Sequence, residues 1–386
     1  MSESKTVRED GRHRGVGSVF IASPYPLSRV TGIGRFVRDL SRFLEGEGIR
    51  VQIANPAWAP EASSPSNGGI VLRWKTFPSL ELAMETARRQ IHARSTFQLV
   101  HVQQPHLQSL MAVLVARVLG KPSVLTLHVR PPVAGGRLRR WGHEVISNLT
   151  LRTAAVSIAV SPYVAGTFRP YRMRIIENGV DTEYFRYSPE GRREIRARLG
   201  IGDEMVFIFA GRWTTTKGLD VLLRAADSDL LSDLPFKLVL IGEATPDEPD
   251  LVAGQISKLS HPSRVIVAGS ISAELPKYLS AGDVFVAPSP YEGMPLAFLE
   301  AMAVGLPPLA SDIPVHRLLV ERSGVGWLFP KGDSTELAAA IARIMGQRIP
   351  ADWPKRARST IVQHHEVRTM VREYISAYEG VKANVS

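Results

Sequence analysis

The chain has 386 residues, of which 44% are hydrophobic and 22% charged, a length and balance that predict a globular protein of two domains and exclude a disordered one. Its net charge of +10 resides mostly in single arginines without a lysine-rich tail or an aromatic-interleaved stripe, so no nucleic-acid partner is predicted. The absence of cysteine excludes disulfides and thiolate metal sites and is compatible with the cytoplasmic location that we predict.

The chain opens with polar residues, and positions 1–15 are predicted to be disordered and to lack the apolar core of a secretory signal. Short β-branched runs then alternate with helical patterns along the whole chain, which indicates βα units and mostly parallel sheets. In the first half, strands are predicted at 17–22, 51–54, 70–74, 99–102, 124–127 and 156–160.

Three features of the first half bear on function. Gly32 and Gly34 follow a ten-residue loop and lack the third small residue of a dinucleotide fingerprint, which disfavours a dehydrogenase. The most apolar stretch, residues 110–119, carries Arg117 and is too short to cross a bilayer, so we predict a core helix. The densest basic cluster is either a solvated helix face or a lipid-facing patch, and it comprises Arg137, Arg139, Arg140, Trp141 and His143.

The Asn178-Gly179 turn separates the two halves. We therefore predict one Rossmann-like domain at 16–185, a second at 186–364, and a C-terminal helix at 365–386 that could return to the first domain. In the second half, strands are predicted at 205–209, 237–241, 264–267, 283–287, 308–310 and 326–328.

Residues 211–218 follow the first strand of the second half and contain two cations. Arg212 offers a planar fork for phosphate oxygens and Lys217 a mobile point charge, although a solvated basic turn is the alternative. The Walker pattern is absent because Lys217 precedes Gly218 rather than Ser or Thr. Fixed cations here would stabilise the charge that grows on a departing diphosphate, and no metal would be needed.

The most informative segment is 288–301, predicted to run from a strand through a loop into a helix. Pro295 suits the first turn of that helix, whose free N–H groups and positive dipole would attract a diphosphate. Glu292 in the loop and Glu300 in the helix flank this anion site, and carboxylates accept hydrogen bonds from sugar diols. Taken alone, both glutamates could equally be solvated charges.

The run from Glu292 to Glu300, two glutamates separated by seven residues, resembles the hallmark of the retaining GT-B enzymes of glycosyltransferase family four. The loops at 211–218, 178–181 and 124–128 also resemble family segments and occur in the family's usual order. The resemblance extends from residue 16 to about residue 380 and is more specific in the second half.

The resemblance implies an α/β GT-B fold, in which two Rossmann-like domains with mostly parallel sheets face each other across a cleft. The first would bind the acceptor and the second the nucleotide sugar. It implies that Glu300 holds the ribose hydroxyls and Glu292 the hydroxyls of the donor sugar, while Arg212 and Lys217 hold the diphosphate. The donor site would be completed by Gly34, Gly211, Gly293, Met294, Pro295 and Leu296.

In the first domain, Gly32 and Gly34 resemble the family's flexible glycine loop near donor phosphate and acceptor, with a plain turn before a helix as the alternative. His128 resembles the histidine whose main chain and ring lie beside the donor sugar, where a merely structural histidine is the alternative. Many relatives carry an acidic residue next, whereas Val129 and Arg130 follow here. Gly32, His128 and Arg130 are therefore our acceptor-side candidates.

We predict a retaining, metal-independent hexosyltransferase that uses no cofactor. It would move sugar from a nucleotide diphosphate, with UDP favoured, to a hydroxyl of a small-molecule or lipid-linked acceptor. Natural-product synthesis, for example of aminoglycosides, and cell-envelope synthesis both fit, and peripheral membrane contact is compatible with the basic cluster. The alternatives are a nucleotide-sugar epimerase of related fold and a non-catalytic nucleotide-sugar-binding subunit.

Overall fold

The structure is a computed structural model that describes residues 15–25, 27, 32–55, 78–129, 136–245, 248–249 and 251–383. The chain divides into two compact units: unit 1 runs to Ile176 and resumes at Met370, and unit 2 is Glu177–Thr369. The boundary that we placed after residue 185 thus falls inside unit 2, and the segment 365–386 is shared between the units. The strand predicted at 70–74 and the residues before Gly15 lie outside the described ranges.

Unit 1 contains a sheet of six parallel strands in the order β2-β1-β3-β4-β5-β6. Every residue of β1, β3 and β4 is buried, as expected for apolar strands covered by helices on both faces. The strands are β1 Ser18–Ala22, β2 Arg50–Ala54, β3 Leu99–Gln103, β4 Ser123–Leu127, β5 Val156–Ala159 and β6 Arg174–Ile175. The helices that follow them are α1 Gly32–Gly46, α2 Pro78–His92, α3 Leu107–Val118, α4 Arg137–Thr153 and α5 Pro162–Thr167.

The apolar stretch of unit 1 forms the predicted core helix. It lies in α3, which buries Leu110 and Val113. Within the described ranges, no helix combines the length and hydropathy that crossing a bilayer requires.

Unit 2 contains a second parallel sheet of six strands, in the order β12-β11-β10-β7-β8-β9. Its strands are β7 Met205–Ala210, β8 Phe236–Ile241, β9 Val265–Gly269, β10 Val284–Ala287, β11 Pro308–Ser311 and β12 Trp327–Phe329. Its helices are α6 Pro189–Arg198, α7 Leu219–Ala226, α8 Leu251–Ile256, α9 Leu275–Ser280, α10 Leu296–Val304, α11 Pro314–Ser323, α12 Ser334–Met345 and α13 Trp353–His364.

The core of unit 2 lies between this sheet and its helices, where Phe207 and Leu238 of the strands pack with Leu222 of α7 and Ile341 of α12. The last helix, α14 Val367–Ala383, begins in unit 2 and continues in unit 1, where Tyr374 and Tyr378 are fully buried. The predicted fold class is confirmed, since each unit is a Rossmann-like α/β unit around a parallel sheet.

Candidate functional site

The candidate site of unit 2 lies where the strand order of its sheet reverses. The parallel strands β7 and β10 are neighbours there, with Phe207 beside Val284 and Ile208 beside Phe285. Their carboxyl ends therefore lie at the same edge and open into two loops, residues 211–218 (the first loop) and residues 288–295 (the second loop). Open α/β sheets bind ligands at such switch points.

The first loop is tied to the strand beside it and touches the second loop. The N–H of Gly211 donates to the carbonyl of Ile241 at 2.9 Å, and that of Trp213 donates to Glu243 at 2.9 Å. Gly218 has a left-handed φ of 71°, and a Cβ on it would overlap the carbonyl oxygen of Pro288. Glycine is therefore required here both by backbone conformation and by the close approach of the two loops.

The second loop is held from two sides. The amide Nδ2 of Asn178 donates to the carbonyl of Met294 at 2.8 Å, and the Ser311 hydroxyl donates to the carbonyl of Ser289 at 2.5 Å. Pro295 is the N-cap of α10 rather than a residue of its first turn, which corrects the sequence-based placement by one position. The cap suits proline because its φ of −77° precedes the helix without needing an N–H donor.

The amino end of α10 faces this loop edge. Its first hydrogen bond within the helix runs from the N–H of Leu299 to the carbonyl of Pro295 at 3.2 Å. The N–H groups of Leu296, Ala297 and Phe298 consequently have no carbonyl partner within the helix. With the positive end of the helix dipole, they form an anion-binding end.

Lys217 of the first loop pairs with Glu292 of the second. Lys217 Nζ lies 2.5 Å from Glu292 Oε1, and the two side chains are 27% and 14% exposed. Burial raises the pKa of Glu292, but the charge and hydrogen bond of Lys217, aided by His316 and Ser289, outweigh it, so the net pKa is lowered. Glu292 is therefore an ionised acceptor at neutral pH.

Arg212 is the second cation of the first loop. Its guanidinium makes no hydrogen bond or ion pair with any residue in the described ranges. Arg212 also affects the pKa of Tyr291. Burial and the charge of Glu292 raise the pKa of that phenol, and the positive charge of Arg212 partly offsets the rise. Arg212 thus offers an uncommitted fork beside the second loop.

Glu300 occupies the second turn of α10 and is 1% exposed, so it is not a solvated helix-surface charge. Gly211, Gly293, Met294, Pro295 and Leu296, the remaining donor-site candidates of unit 2, all belong to the two loops or to the start of α10. The structure therefore gathers the predicted donor-site residues of unit 2 around one sheet edge.

His316 of α11 is a member of this site that sequence reasoning missed. Its Nδ1 donates to the carbonyl of Ser311 at 3.0 Å, and its ring stacks on Phe298 with centroids 5.1 Å apart. Burial lowers its pKa to about 4, although the charge of Glu292 and the hydrogen bond to Ser311 oppose this shift. Its Nε2 is buried without a hydrogen-bond partner in the described part of the chain. A single histidine at a helix start gives no sequence signal for such a role.

The candidates of unit 1 lie at the start of α1 and just after β4. Gly32 and Gly34 are in the first turn of α1, so they are helical rather than part of a flexible loop, which corrects that expectation. Gly32 is exposed at this helix start, whereas Gly34 is buried. His128 follows β4, is buried, and lies edge-on to Phe36 at 4.7 Å. Arg130 lies outside the described residues.

Two family models match the chain. Residues 30–184 match the model of glycosyltransferase family 4, and residues 204–347 match that of the glycosyl transferases group 1. The chain belongs to glycosyltransferase family 4. Its activity is glycosyl transfer, and its fold is the GT-B type.

Three known proteins are similar to the chain. The chain is 24% identical over 385 residues to phosphatidyl-myo-inositol mannosyltransferase of Mycobacterium leprae, covering 94% of this chain and 96% of that one. It is 29% identical over 271 residues to GDP-mannose:cellobiosyl-diphosphopolyprenol alpha-mannosyltransferase of Xanthomonas campestris, covering 68% of each. The structure of Anabaena HepE in complex with UDP-glucose matches with a TM-score of 0.73 and 20% identity, covering 93% and 99% of the two chains.

Among the described residues, no three His, Asp or Glu side chains are grouped so that they could hold a metal ion. The independence from metals that we predicted from the sequence stays a prediction.

Proposed function

We propose that this glycosyltransferase moves a hexose-type sugar from a nucleoside diphosphate, with retention of configuration and without a metal, to a hydroxyl of a lipid-linked acceptor. The observation that supports this most directly is the contact of Lys217 with Glu292 just before α10, at the switch point of the unit 2 sheet, with Arg212 on the same loop as Lys217. Cations and a helix dipole beside an ionised carboxylate match a ligand that joins a diphosphate to a hydroxylated ring.

The diphosphate would bind the N–H groups of Leu296 and Ala297 and the guanidinium of Arg212. Lys217, held against Glu292 without ligand, would turn its charge toward the oxygen that bridges phosphate and sugar. That oxygen gains negative charge as the sugar leaves, so the lysine stabilises the transition state more than the ground state. Glu292 would accept hydrogen bonds from sugar hydroxyls, and the buried Glu300 would bind the ribose.

Retention follows from attack on the face that the leaving group vacates. The bond between the anomeric carbon and the phosphate oxygen breaks, the bond from the acceptor oxygen forms on the same face, and the acceptor proton passes to the leaving phosphate. No side chain forms a covalent bond. His128 of unit 1 would accept a hydrogen bond from a donor sugar hydroxyl.

UDP-sugar is the donor that we propose first, since the similar HepE structure holds UDP-glucose. The similar Xanthomonas enzyme carries GDP-mannose in its name, so a guanosine donor is the principal competitor. A lipid-linked acceptor is favoured by the diphosphopolyprenol and phosphatidylinositol substrates named in the two relatives. Cell-envelope synthesis then fits better than natural-product synthesis, and the reaction would take place at the cytoplasmic membrane face.

The exposed face of α4 supports the same acceptor class. Leu138 and Trp141 are 79% and 65% exposed, and Arg137 and Arg140 beside them are exposed as well. Apolar and basic side chains on one surface helix suit the interface of an anionic bilayer. We propose peripheral contact through this helix.

The test has two stages. Thermal shift with UDP, GDP and ADP identifies the base, because a ligand that binds only the folded state raises its melting temperature. Mass spectrometry then follows the matching nucleotide sugars, in the presence of EDTA, with polyprenyl phosphate, phosphatidylinositol and aminocyclitol acceptors. Glycosylated lipid supports the proposal. Product only on aminocyclitols refutes the lipid acceptor, interconverted donor without acceptor indicates an epimerase, and binding without turnover indicates a non-catalytic subunit.

A further inference from the structure

A group of polar side chains lies buried behind His128 in unit 1. Each is fully buried, although buried polar groups lower stability unless they are hydrogen-bonded. Two belong to β3, one to β4 and two to α14: His101, Gln103, Thr126, Tyr374 and Tyr378. A buried network whose members are hydrogen-bonded to one another fixes the orientation of each side chain, so it invites a functional explanation.

These side chains form a continuous hydrogen-bonded path to His128. The path starts at Tyr378, whose hydroxyl lies 2.8 Å from His101 Nδ1. Gln103 Nε2 then lies 3.1 Å from His101 Nε2, and Gln103 Oε1 lies 2.8 Å from His128 Nε2. The amide of Gln103 is therefore the link between the two imidazoles.

The chemistry of an amide assigns the protons along this path. An amide oxygen only accepts, so His128 Nε2 must carry a proton and donate it to Gln103. An amide nitrogen only donates, so His101 Nε2 must accept. The proton of His101 then resides on Nδ1 and is donated to the Tyr378 hydroxyl.

A second branch reaches the same imidazole. Tyr374 and Thr126 hydroxyls are 3.2 Å apart, and Thr126 Oγ1 lies 2.8 Å from His101 Nε2. A hydroxyl can donate or accept, so this branch follows the direction that the Gln103 amide sets. With His101 Nε2 unprotonated, Thr126 donates to it and accepts from Tyr374.

Both imidazoles are neutral at physiological pH. Burial lowers the pKa of His128 to about 3, and burial together with the neighbouring His128 lowers that of His101 to about 3. Neither imidazole changes its charge near neutral pH. What can still vary is which of the two ring nitrogens carries the proton. With the proton on Nε2, the Nδ1 of His128 is a bare acceptor, and no partner for it is present in the described ranges.

We propose that Gln103 is a positioning residue that fixes His128 as the Nε2–H tautomer, and that His101 and Tyr378 in turn fix the orientation of the Gln103 amide. The bare Nδ1 would accept a hydrogen bond from a donor sugar hydroxyl, so this inference rests on the proposed function. An imidazole with the opposite tautomer would donate to that hydroxyl instead of accepting from it, which reverses the hydrogen bond and changes how the sugar is oriented. The C-terminal helix thus acts on the site through a hydroxyl on its buried face.

Nitrogen NMR of protein labelled with ¹⁵N-histidine tests the assignment directly, because protonated and bare ring nitrogens resonate far apart. His128→Ala identifies the signals. In the wild-type protein at pH 7, we expect the proton of His128 on Nε2. Gln103→Leu should mix the tautomers and lower kcat roughly tenfold while KM for the donor changes little. Tyr378→Phe should produce the same change more weakly.

Tyr171→Phe is the matched control, because its hydroxyl donates to Asn148 at 3.0 Å in the same unit without a link to His128. It should leave tautomer and kcat unchanged. A wild-type His128 protonated on Nδ1 overturns the proposal, as do Gln103→Leu and Tyr378→Phe proteins whose His128 spectra match wild type. Loss of sugar transfer with every donor would refute the proposed function instead, and the NMR result would still decide the tautomer.

Discussion

Lys217 and Glu292 are 75 positions apart in the chain, yet their side chains meet at 2.5 Å. The pair exists because β7 and β10 are adjacent parallel strands, which brings the loops that follow them together. It holds an ionised carboxylate and a cation at the amino end of α10 before any ligand arrives. The carboxylate and the cation are therefore already assembled at this site, and only the Lys217 side chain has to turn when a diphosphate binds.

Glu292→Gln tests this carboxylate while preserving its shape. We expect kcat to fall about 100-fold, since the amide accepts sugar hydroxyls more weakly and leaves Lys217 without its partner. Affinity for the nucleoside diphosphate should change less than about threefold, because the nucleotide itself does not contact Glu292. Steady-state kinetics and calorimetry measure kcat and the nucleotide affinity.

Glu190→Gln, which breaks an exposed ion pair with Arg193, is the control and should leave both quantities unchanged. Equal losses in kcat and nucleotide affinity would contradict the role.

Arg212→Ala should behave differently from Glu292→Gln. The guanidinium of Arg212 has no hydrogen-bond partner among the described residues, so a diphosphate displaces none when it binds. Each charge-assisted hydrogen bond from Arg212 to the diphosphate then contributes about 1.5 to 3 kcal/mol. We expect affinity for the nucleoside diphosphate to fall about tenfold or more, with a comparable fall in kcat. Calorimetry with the diphosphate and with the nucleoside alone separates the contributions. Unchanged diphosphate affinity would remove Arg212 from the donor site.

Gly218→Ala tests the contact between the two loops. The substitution places a methyl group against the Pro288 carbonyl in a left-handed conformation, so the loops must move apart. Gly200→Ala is a matched control, because Gly200 has a similar φ of 65° but open space around it. Both should lose about 1 kcal/mol of unfolding free energy from the backbone strain. Only Gly218→Ala should also lose most of its activity. Full activity in that variant would show that the loop contact is dispensable.

The strands and motifs were predictable because their signals are local. Predicted strand bounds differ from those observed by one or two residues. A continuous apolar run such as that of β7 shows that a strand is present but does not mark the residues at which it begins and ends. The edge strand β6 was missed because it consists of only two residues, Arg174 and Ile175, and both are exposed. The Lys217–Glu292 pair and the link from Tyr378 to His101, which spans 277 positions, depend on strand order and helix placement. No local pattern encodes either.

Acid should destabilise the protein before its carboxylates titrate. Burial lowers the pKa of His316 from 6.5 to about 4. Between these two pH values His316 is protonated in the unfolded state and neutral in the folded state. The unfolding free energy therefore falls with decreasing pH from about 6.5 to about 4, by about 1.4 kcal/mol per pH unit for this residue. His316→Phe keeps the stacking on Phe298 and removes the titration.

Urea unfolding between pH 4 and 8, followed by tryptophan fluorescence, measures this dependence. The slope of unfolding free energy against pH should decrease in His316→Phe by the equivalent of about one proton. Leu230→Phe serves as the control. It adds a ring at an exposed position of unit 2 without changing a titratable group, and it should leave the slope unchanged. Identical slopes in His316→Phe and wild type would mean that His316 binds its proton in the folded state at the same pH as in the unfolded state, which contradicts the lowered pKa.

The apolar face of α4 gives the last prediction. Leu138 and Trp141 project into solvent next to Arg137 and Arg140, so an anionic bilayer can bind both the apolar and the basic side chains. Wild-type protein should sediment with vesicles of phosphatidylglycerol and less with phosphatidylcholine, and salt should weaken the binding.

Leu138→Ser with Trp141→Ser should reduce vesicle binding about tenfold or more, since two apolar side chains no longer leave water. Val118→Ser, at an even more exposed apolar position on α3, should not. Transfer to a short-chain, water-soluble acceptor should be unchanged in the double variant. Wild-type sedimentation by that variant would refute α4 as the membrane contact.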